Sequence, residues 1–518
     1  MARYLAFLLL FLGLGLLTQG QAQVVNFKDS AFKTHLIAIG VDQNGNGQIE
    51  VSEAQSRTEL TLLNSPPIQD MTGLEEFVNL HTLRLNANPV KHLPLETLTK
   101  LEVLDARDAA LDSLNLDHTL LLKELQVKGN PLKELDLRAL SQLESANMGN
   151  CPITSVQFGQ HPFLRDLLMF FCRVDSLDLS GLPALRNLEV QGNLLYRLNL
   201  RANTKLEVVF CDRNGLVDLL LPNGFRLRSL TCRFNALKEL DIRDLIFLEG
   251  VDCAYNSLEK LHMERNFGLF NLTCYGNKLT ELNFQACPQL LFADCHENQL
   301  SQVEAGMNAG LLSLNISENL IDTFDVGIFP NLQDLKISDN PLEELIIPAQ
   351  NNLSALAVGP NEVMETLIIP ESNFLSSMDL SYCPELSRVC FWDLRKTLGI
   401  ISIHDVGSPQ ITYASCQGKE DLLNPEGALV FPNSVSHTLF FRSQWDNTGN
   451  RVSLPTQVTF FTFGGQRVWE QELAPPPGIL AEVEISHLPD GLYLVRVDYD
   501  NSIGEYPPVW VRIQIAKI

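Results

Sequence analysis

A leucine returns every 21 residues along this chain, and that period limits the possible folds more than any other feature. It runs without a slip through Leu80, Leu101, Leu122, Leu143, Leu164, Leu185, Leu206, Leu227, Leu248, Leu269, Leu290, Leu311, Leu332 and Leu353. Each leucine opens a similar phrase, such as LRSLTCRFN from Leu227 or LFNLTCYGN from Leu269. No unit this short can bury its own apolar side, so neighbouring units must stack and share one core. A diverged unit precedes the series around Leu60 and Leu62, and two longer-spaced ones follow at Leu375 and Leu398.

Within a unit the first, fourth and sixth residues are expected to point inward. The ninth is Asn in most units, from Asn88 and Asn130 through Asn193, Asn214, Asn235, Asn256, Asn277, Asn298, Asn319 and Asn340 to Asn361. An inward Asn there can satisfy backbone groups of its own bend and of the next coil. Cys151, Cys172 and Cys383 occupy the same slot. A second apolar phrase follows in the same coil, as in Pro131–Leu137 and Ala236–Ile242. The pattern L-x-x-L-x-L/C-x-x-N/C resembles the leucine-rich-repeat signature, and its doubled form is similar to the nested 21-residue class of bacterial repeats. That resemblance implies a strand on each side of the coil and little helix. The expected architecture is mainly β. Residues 57–416 form a solenoid, residues 23–56 a small helical N-terminal cap, residues 417–427 a linker, and residues 428–518 a C-terminal β-sandwich.

Of the 11 cysteines, Cys211, Cys232, Cys253, Cys274 and Cys295 fall at the sixth position of consecutive units. They should form an inward column of packing thiols. Parallel strands lie ~4.8 Å apart with parallel Cβ vectors, whereas a disulfide wants converging Cβ atoms at roughly 3.5–4.5 Å. Cys390 and Cys416 flank one segment beyond the regular units, and the expectation there is a disulfide closing the solenoid's end.

The chain begins with Arg3, an apolar run from Tyr4 to Leu17 and the small-residue phrase Gly20-Gln21-Ala22. This is the pattern of a secretory signal peptide over residues 1–22. No other stretch is apolar enough to span a membrane, so the expected mature chain is secreted or displayed at the outer cell surface. The formal net charge of −24 repels phosphate backbones and argues against a nucleic-acid partner.

Before the repeats, Asp42 to Glu53 reads DQNGNGQIEVSE and fits the calcium-loop spacing D-x-[DN]-x-[DN]-G-x5-E. Asp42, Asn44, Asn46, Gln48 through its carbonyl, Glu50 and Glu53 are the expected ligands of a structural calcium ion. Asp29 to Ile39 reads as a helix leading in, with Phe32, Leu36 and Ile37 on its apolar side.

Short alternating strands are expected at Thr438–Phe441, Gln457–Phe463, Leu492–Tyr499 and Val509–Ala516. Phe431-Pro432-Asn433-Ser434, then Phe463-Gly464-Gly465-Gln466-Arg467-Val468, then Leu488-Pro489-Asp490-Gly491-Leu492-Tyr493-Leu494-Val495 occur in order. Together they resemble the C-terminal sorting domain of the type IX secretion route, though Phe431 and Ser434 depart from its usual opening. The resemblance implies that the secretion machinery is a partner.

Positions 3, 5 and 7 of each unit should project from the strand side. Leu168, Phe170, Phe210, Arg233, Tyr275, Phe292 and His296 are the expected binding residues there, with an extracellular protein or a glycan as ligand. The chain lacks the usual catalytic motifs, so a non-catalytic recognition protein is the leading expectation. A structural surface-layer component and a glycan-active enzyme are the alternatives.

Overall fold

The computed structural model describes residues 23–391 except 224–225, 306–309, 349–351 and 370–374, together with the β-strands between Ile401 and Ile515. The chain forms two compact units, Met1–Leu237 and Lys238–Ile518. Both are β-solenoids built from the 21-residue coil.

In the first unit every coil from Leu80 to Leu227 buries its first, fourth and sixth residues, as Leu80, Leu83 and Leu85 do at the start and Leu227, Leu230 and Cys232 at the end. The second unit does the same from Leu248, Val251 and Cys253 onward. Each buried leucine contributes about 1.5–3 kcal/mol by leaving water. The third to fifth residues of each coil form a three-residue strand, and strands 21 residues apart pair in parallel and in register. In the first unit Leu83 lies opposite Leu104 and Leu188 opposite Val209. In the second, Leu272 lies opposite Ala293 and Leu335 opposite Leu356.

The strands stay short because the coil bends at its eighth residue, which is left-handed in every coil from Leu80 to Leu375 except that of Leu353, where it is Pro360. Ala87, Asp108, Gly129, Asn150, Phe171, Gly192, Arg213 and Phe234 have φ between 51° and 76° in the first unit, as do Tyr255, Gly276, Glu297, Glu318, Asp339 and Tyr382 in the second. The Asn that follows holds the bend. Asn130 donates to the Ala106 carbonyl of the previous coil at 2.8 Å and to its own Val127 carbonyl at 2.7 Å, and it accepts from Leu111 N–H at 3.0 Å. Asn277 repeats all three bonds in the second unit, with Cys253, Cys274 and Leu258. Cys151 keeps one of the three: its thiol donates to the Val127 carbonyl at 3.2 Å.

The column cysteines are fully buried and form no disulfide, Cys211 and Cys232 in the first unit and Cys253, Cys274 and Cys295 in the second. Burial raises the thiol pKa of Cys211 and Cys253 well above the ordinary range, and a thiol that stays protonated is chemically inert. Cys390 lies in the strand Arg388–Phe391. Its expected partner Cys416 lies outside the described residues, as do the signal segment 1–22 and its cleavage point.

The second apolar phrase forms strands in some coils only. Glu134–Asp136 pairs with Ser155–Gln157 and Arg197–Asn199 with Asp218–Leu220 in the first unit. Glu239–Asp241 pairs with Lys260–His262 and Glu281–Asn283 with Gln302–Glu304 in the second. Around Leu95, Leu116 and Leu179 the apolar residue is buried without a strand. Within the expected linker, Lys419–Asn424 is a strand, antiparallel to Ile411–Ser415 at the end of a sheet whose other members pair in parallel. A parallel stack ends in unpaired N–H and C=O groups, and a strand that folds back satisfies them. That tertiary demand outweighs the polar sequence KEDLLN.

Beyond this point the strands are antiparallel. Thr438–Arg442 pairs with Phe431–Pro432 and Leu480–Glu484. Pro455–Thr462 lies between Arg467–Glu472 and Gly491–Tyr499, and the latter pairs onward with Val509–Ile515.

At the front a helix spans Ser30–Ala38, with Asp29 as its N-cap accepting from Ala31 N–H at 2.7 Å. The other oxygen of Asp29 accepts from Gln69 N–H at 2.7 Å and ties the helix to the segment before the first regular coil. Phe32, His35 and Leu36 form its buried side. Ile37 is 37% exposed, contrary to expectation, because the helix turns its His35 edge inward, where Nε2 meets the Pro66 carbonyl at 2.8 Å.

Candidate functional site

All seven residues expected to bind lie outside the core, on the strand side, and they fall into two clusters, one in each unit. In the first unit Leu168 ends the strand Asp166–Leu168 and is half-buried. Phe170, at the seventh position, meets Phe171 edge-on at 6.1 Å and carries the Lys128 ammonium at 5.3 Å from its ring. Phe170 leans over Gly149, where an added Cβ would come within 2.6 Å of the ring. Phe210 is half-buried at the end of its strand. The guanidinium of Arg233 lies 5.5 Å from the ring of Phe234, and that of Arg213 lies 4.5 Å from the same ring. Asp212 accepts from Arg233 N–H at 2.7 Å and from the Thr231 hydroxyl at 3.0 Å, yet burial lifts its carboxyl above the ordinary range despite those bonds.

In the second unit Tyr275 and His296 occupy the seventh position of adjacent coils, and their rings stack at 4.3 Å with 16° between planes. Tyr255 meets Tyr275 edge-on at 5.0 Å. His296 Nδ1 lies 2.7 Å from Asp294 Oδ1. Phe292 is 46% exposed at the third position of the same coil and outside the stack.

Four aromatic residues were missed by the sequence reading: Phe171, Phe234, Tyr255 and Tyr382. All are at the eighth position, all have positive φ, and they are 56%, 36%, 39% and 53% exposed. A bulky side chain in the left-handed region costs about 1–2 kcal/mol, which Gly avoids and Asn reduces. Other coils put Gly129, Asn150, Gly192 and Gly276 at this place. The row carries little sequence signal, because Ala87, Asp108, Arg213, Glu297, Glu318 and Asp339 also stand in it. The distinction needed the backbone angle to be seen. Phe171 lies against Gly192, and Tyr255 lies against Gly276, where a Cβ would come within 2.6 Å of its ring.

The front loop gathers the residues that its spacing selects. Asp42 accepts from Gly45 and Gly47 N–H groups at 2.7 and 2.8 Å, Asn44 from Asn46 N–H at 2.9 Å, and Asn46 from Gln48 N–H at 2.7 Å. Glu53 accepts from Gln43 N–H at 2.8 Å and from Glu50 N–H at 2.9 Å, the second bond also fastening the helix Val51–Gln55. Glu50 accepts from the amides of Asn44 and Asn46 at 3.1 and 2.8 Å. Glu50 and Glu53 are buried, and among the described residues neither they nor Asp42 forms an ion pair with a Lys, Arg or His. No cluster of three His, Cys, Asp or Glu groups suited to a metal occurs among the described residues, and the donors here are mixed with amides. The carboxylates of Asp42, Glu50 and Glu53 accept from backbone N–H groups and side-chain amides of the same loop. Asp42, Asn44, Asn46, Glu50 and Glu53, with the Gln48 carbonyl, would hold calcium, which would supply charge neutralisation and bracing rather than chemistry.

No protein-family model matches the chain, and no curated protein matches it. Solved structures do. The functional domain of InlJ from Listeria monocytogenes, described as including a cysteine ladder, is 20% identical over 96% of this chain and 99% of its own, with a TM-score of 0.59. A leucine-rich-repeat protein of Leptospira interrogans is 20% identical over 68% of this chain and 97% of its own, with a TM-score of 0.47. An internalin, InlF, from Listeria monocytogenes is 15% identical over 75% and 95%, with a TM-score of 0.40. The likeness to the first of these establishes the fold: a mainly β solenoid of the leucine-rich-repeat kind.

Proposed function

We propose that this is an exported recognition protein that binds an extracellular protein or glycan through the strand side of its coils, without catalysis. One observation carries the reading. Phe171, Phe234, Tyr255 and Tyr382 hold left-handed backbone while remaining 36–56% exposed, so each carries a conformational cost that a Gly or Asn would reduce. Side chains kept against the interest of folding, beside cations and rings, have the composition of interaction hot spots. Export is supported by the N-terminal residues and by the phrases that resemble a type IX sorting domain. Calcium in the front loop is the structural cofactor of this reading.

The test is a screen of the full chain against immobilised extracellular proteins and glycans, run with calcium and with chelator, with Phe171→Asn and Tyr255→Asn as variants. At least one ligand should bind and lose tenfold or more in affinity with one variant, while both variants melt at the same temperature as the parent or higher. A ligand that binds both variants as tightly as the parent would place recognition elsewhere. Loss of binding in chelator would make the calcium loop part of the working protein.

A further inference from the structure

The seventh-position row of the second unit stops being aromatic partway along. Tyr275 and His296 stack, and the next two coils place Ser317 and Ser338 in the same row. The outer face of the His296 ring therefore looks onto a shelf of small residues about one strand spacing, ~4.8 Å, further on. The shelf is polar. Ser317 Oγ accepts from Ser338 N–H at 3.2 Å, and Asn315 Oδ1 accepts from Ser317 N–H at 3.2 Å. The Asn315 amide nitrogen lies 3.3 Å from His296 Nδ1. His296 Nδ1 also lies 2.7 Å from Asp294 Oδ1, and Nε2 has no hydrogen-bond partner among the described residues. Asp294, Asn315 and Lys336 line the neighbouring fifth-position row at one residue per coil.

We propose that this shelf is a carbohydrate subsite, in which a pyranose ring continues the Tyr275–His296 stack over Ser317. The proposal rests on the strand-side recognition reading and names the ligand class for the second unit. A sugar ring has an apolar C–H face that packs on an aromatic ring and a rim of hydroxyls that both donate and accept. The shelf supplies one ring face, flanked by the planar groups of Asp294 and Asn315 and by His296 Nε2, with Lys336 next in the fifth-position row. A peptide aromatic would fit the ring face and find no apolar rim to bury its edge. Tyr255, edge-on to Tyr275, fixes the inner end of the stack so that only the His296 side can extend.

The test is a printed glycan array probed with the full chain, followed by titration of the strongest soluble hit against His296→Ala, Asn315→Ala and Ser317→Trp. The indole of Ser317→Trp would occupy the shelf itself. Binding to at least one glycan is expected, weakened tenfold or more by His296→Ala and by Ser317→Trp, with melting temperatures within a few degrees of the parent. Glu207→Gln, at a surface charge of the other unit, should leave glycan affinity unchanged. Glycan binding that survives both His296→Ala and Ser317→Trp overturns the subsite. No glycan bound, alongside a protein ligand that is lost on Phe171→Asn, also overturns the subsite and leaves the recognition reading standing. No ligand of either kind removes both.

Discussion

The two units use one core and two different surfaces. In both, the first and fourth positions are buried Leu, Val, Ala or Met, and an Asn with the same three bonds closes the bend. The second position differs. In the first unit it is a run of charges: Glu102 bonds His81 at 3.2 Å and Lys123 at 2.6 Å, Arg165 faces Glu144 at 3.7 Å, and Arg186 faces Glu207 at 3.2 Å. In the second unit the same register carries Phe270, Leu291 and Leu312, linked coil to coil by backbone bonds of 2.9 Å, and Phe270 is 41% exposed. Nearby, Phe247, Phe267 and Phe292 are 51%, 53% and 46% exposed. The inward rows are held constant because each residue must mate with the coils before and after it. The outward rows carry no such demand, so charge pairs and bare rings are equally compatible with the fold.

That comparison can be broken at its strongest point first. Leu188→Ala in the first unit and Leu272→Ala in the second remove the same fully buried fourth-position side chain. Each should cost about 2–5 kcal/mol, measured by denaturant unfolding of the full chain. A large inequality would show that the two cores are not equivalent.

A smaller effect should separate the units by pH. His161 is fully buried in the first unit, with Nδ1 2.9 Å from the Leu140 carbonyl and Nε2 accepting from Gly159 N–H at 3.1 Å. Asn266 and Cys287 take its place in the second. Burial holds the His161 pKa below its ordinary value, against the Leu140 bond, so the folded ring stays neutral. Its contribution is complete above the unfolded value of ~6.5. It is lost as pH falls from there toward the depressed folded value, because the unfolded chain takes up the proton first. Stability should therefore drop between pH 7.5 and 5.5 in the parent and drop less in His161→Asn, which mimics the Asn found at this position elsewhere. An identical drop in both would assign the acid sensitivity to other groups.

The smallest effect belongs to the surface charges. Glu207→Gln, which removes the half-exposed partner of Arg186, should change stability by under about 1 kcal/mol, and by less at high salt. A larger change would mean that the charged row supports the first unit in a way the apolar row does not support the second.

Much of this molecule was legible as pattern. The 21-residue period marked the inward positions, the Asn row and the buried cysteine column, because stacking repeats one environment in every coil. The front loop's donors followed from spacing, since a tight turn brings near neighbours together whatever lies around it. Leu168, Phe170, Phe210, Arg233, Tyr275, Phe292 and His296 lie outside the core, at positions that the alternation of the strand turns outward. Their partners were not legible. That Tyr275 stacks on His296 while Phe292 stands apart depends on rotamers packed between coils, and periodicity does not encode these. Phe171, Phe234, Tyr255 and Tyr382 went unnoticed because their distinction is a backbone angle.

The chain's own order of residues determined that it would coil, which side chains would be inside, and where each coil would bend, for these are demands that one unit makes on its identical neighbours. Only the tertiary structure decided which coils pair on their second side, that Lys419–Asn424 folds back as a strand, and which rings meet. Those outcomes depend on edges and surfaces where the repeat's constraint is released and local contacts between unlike residues take over.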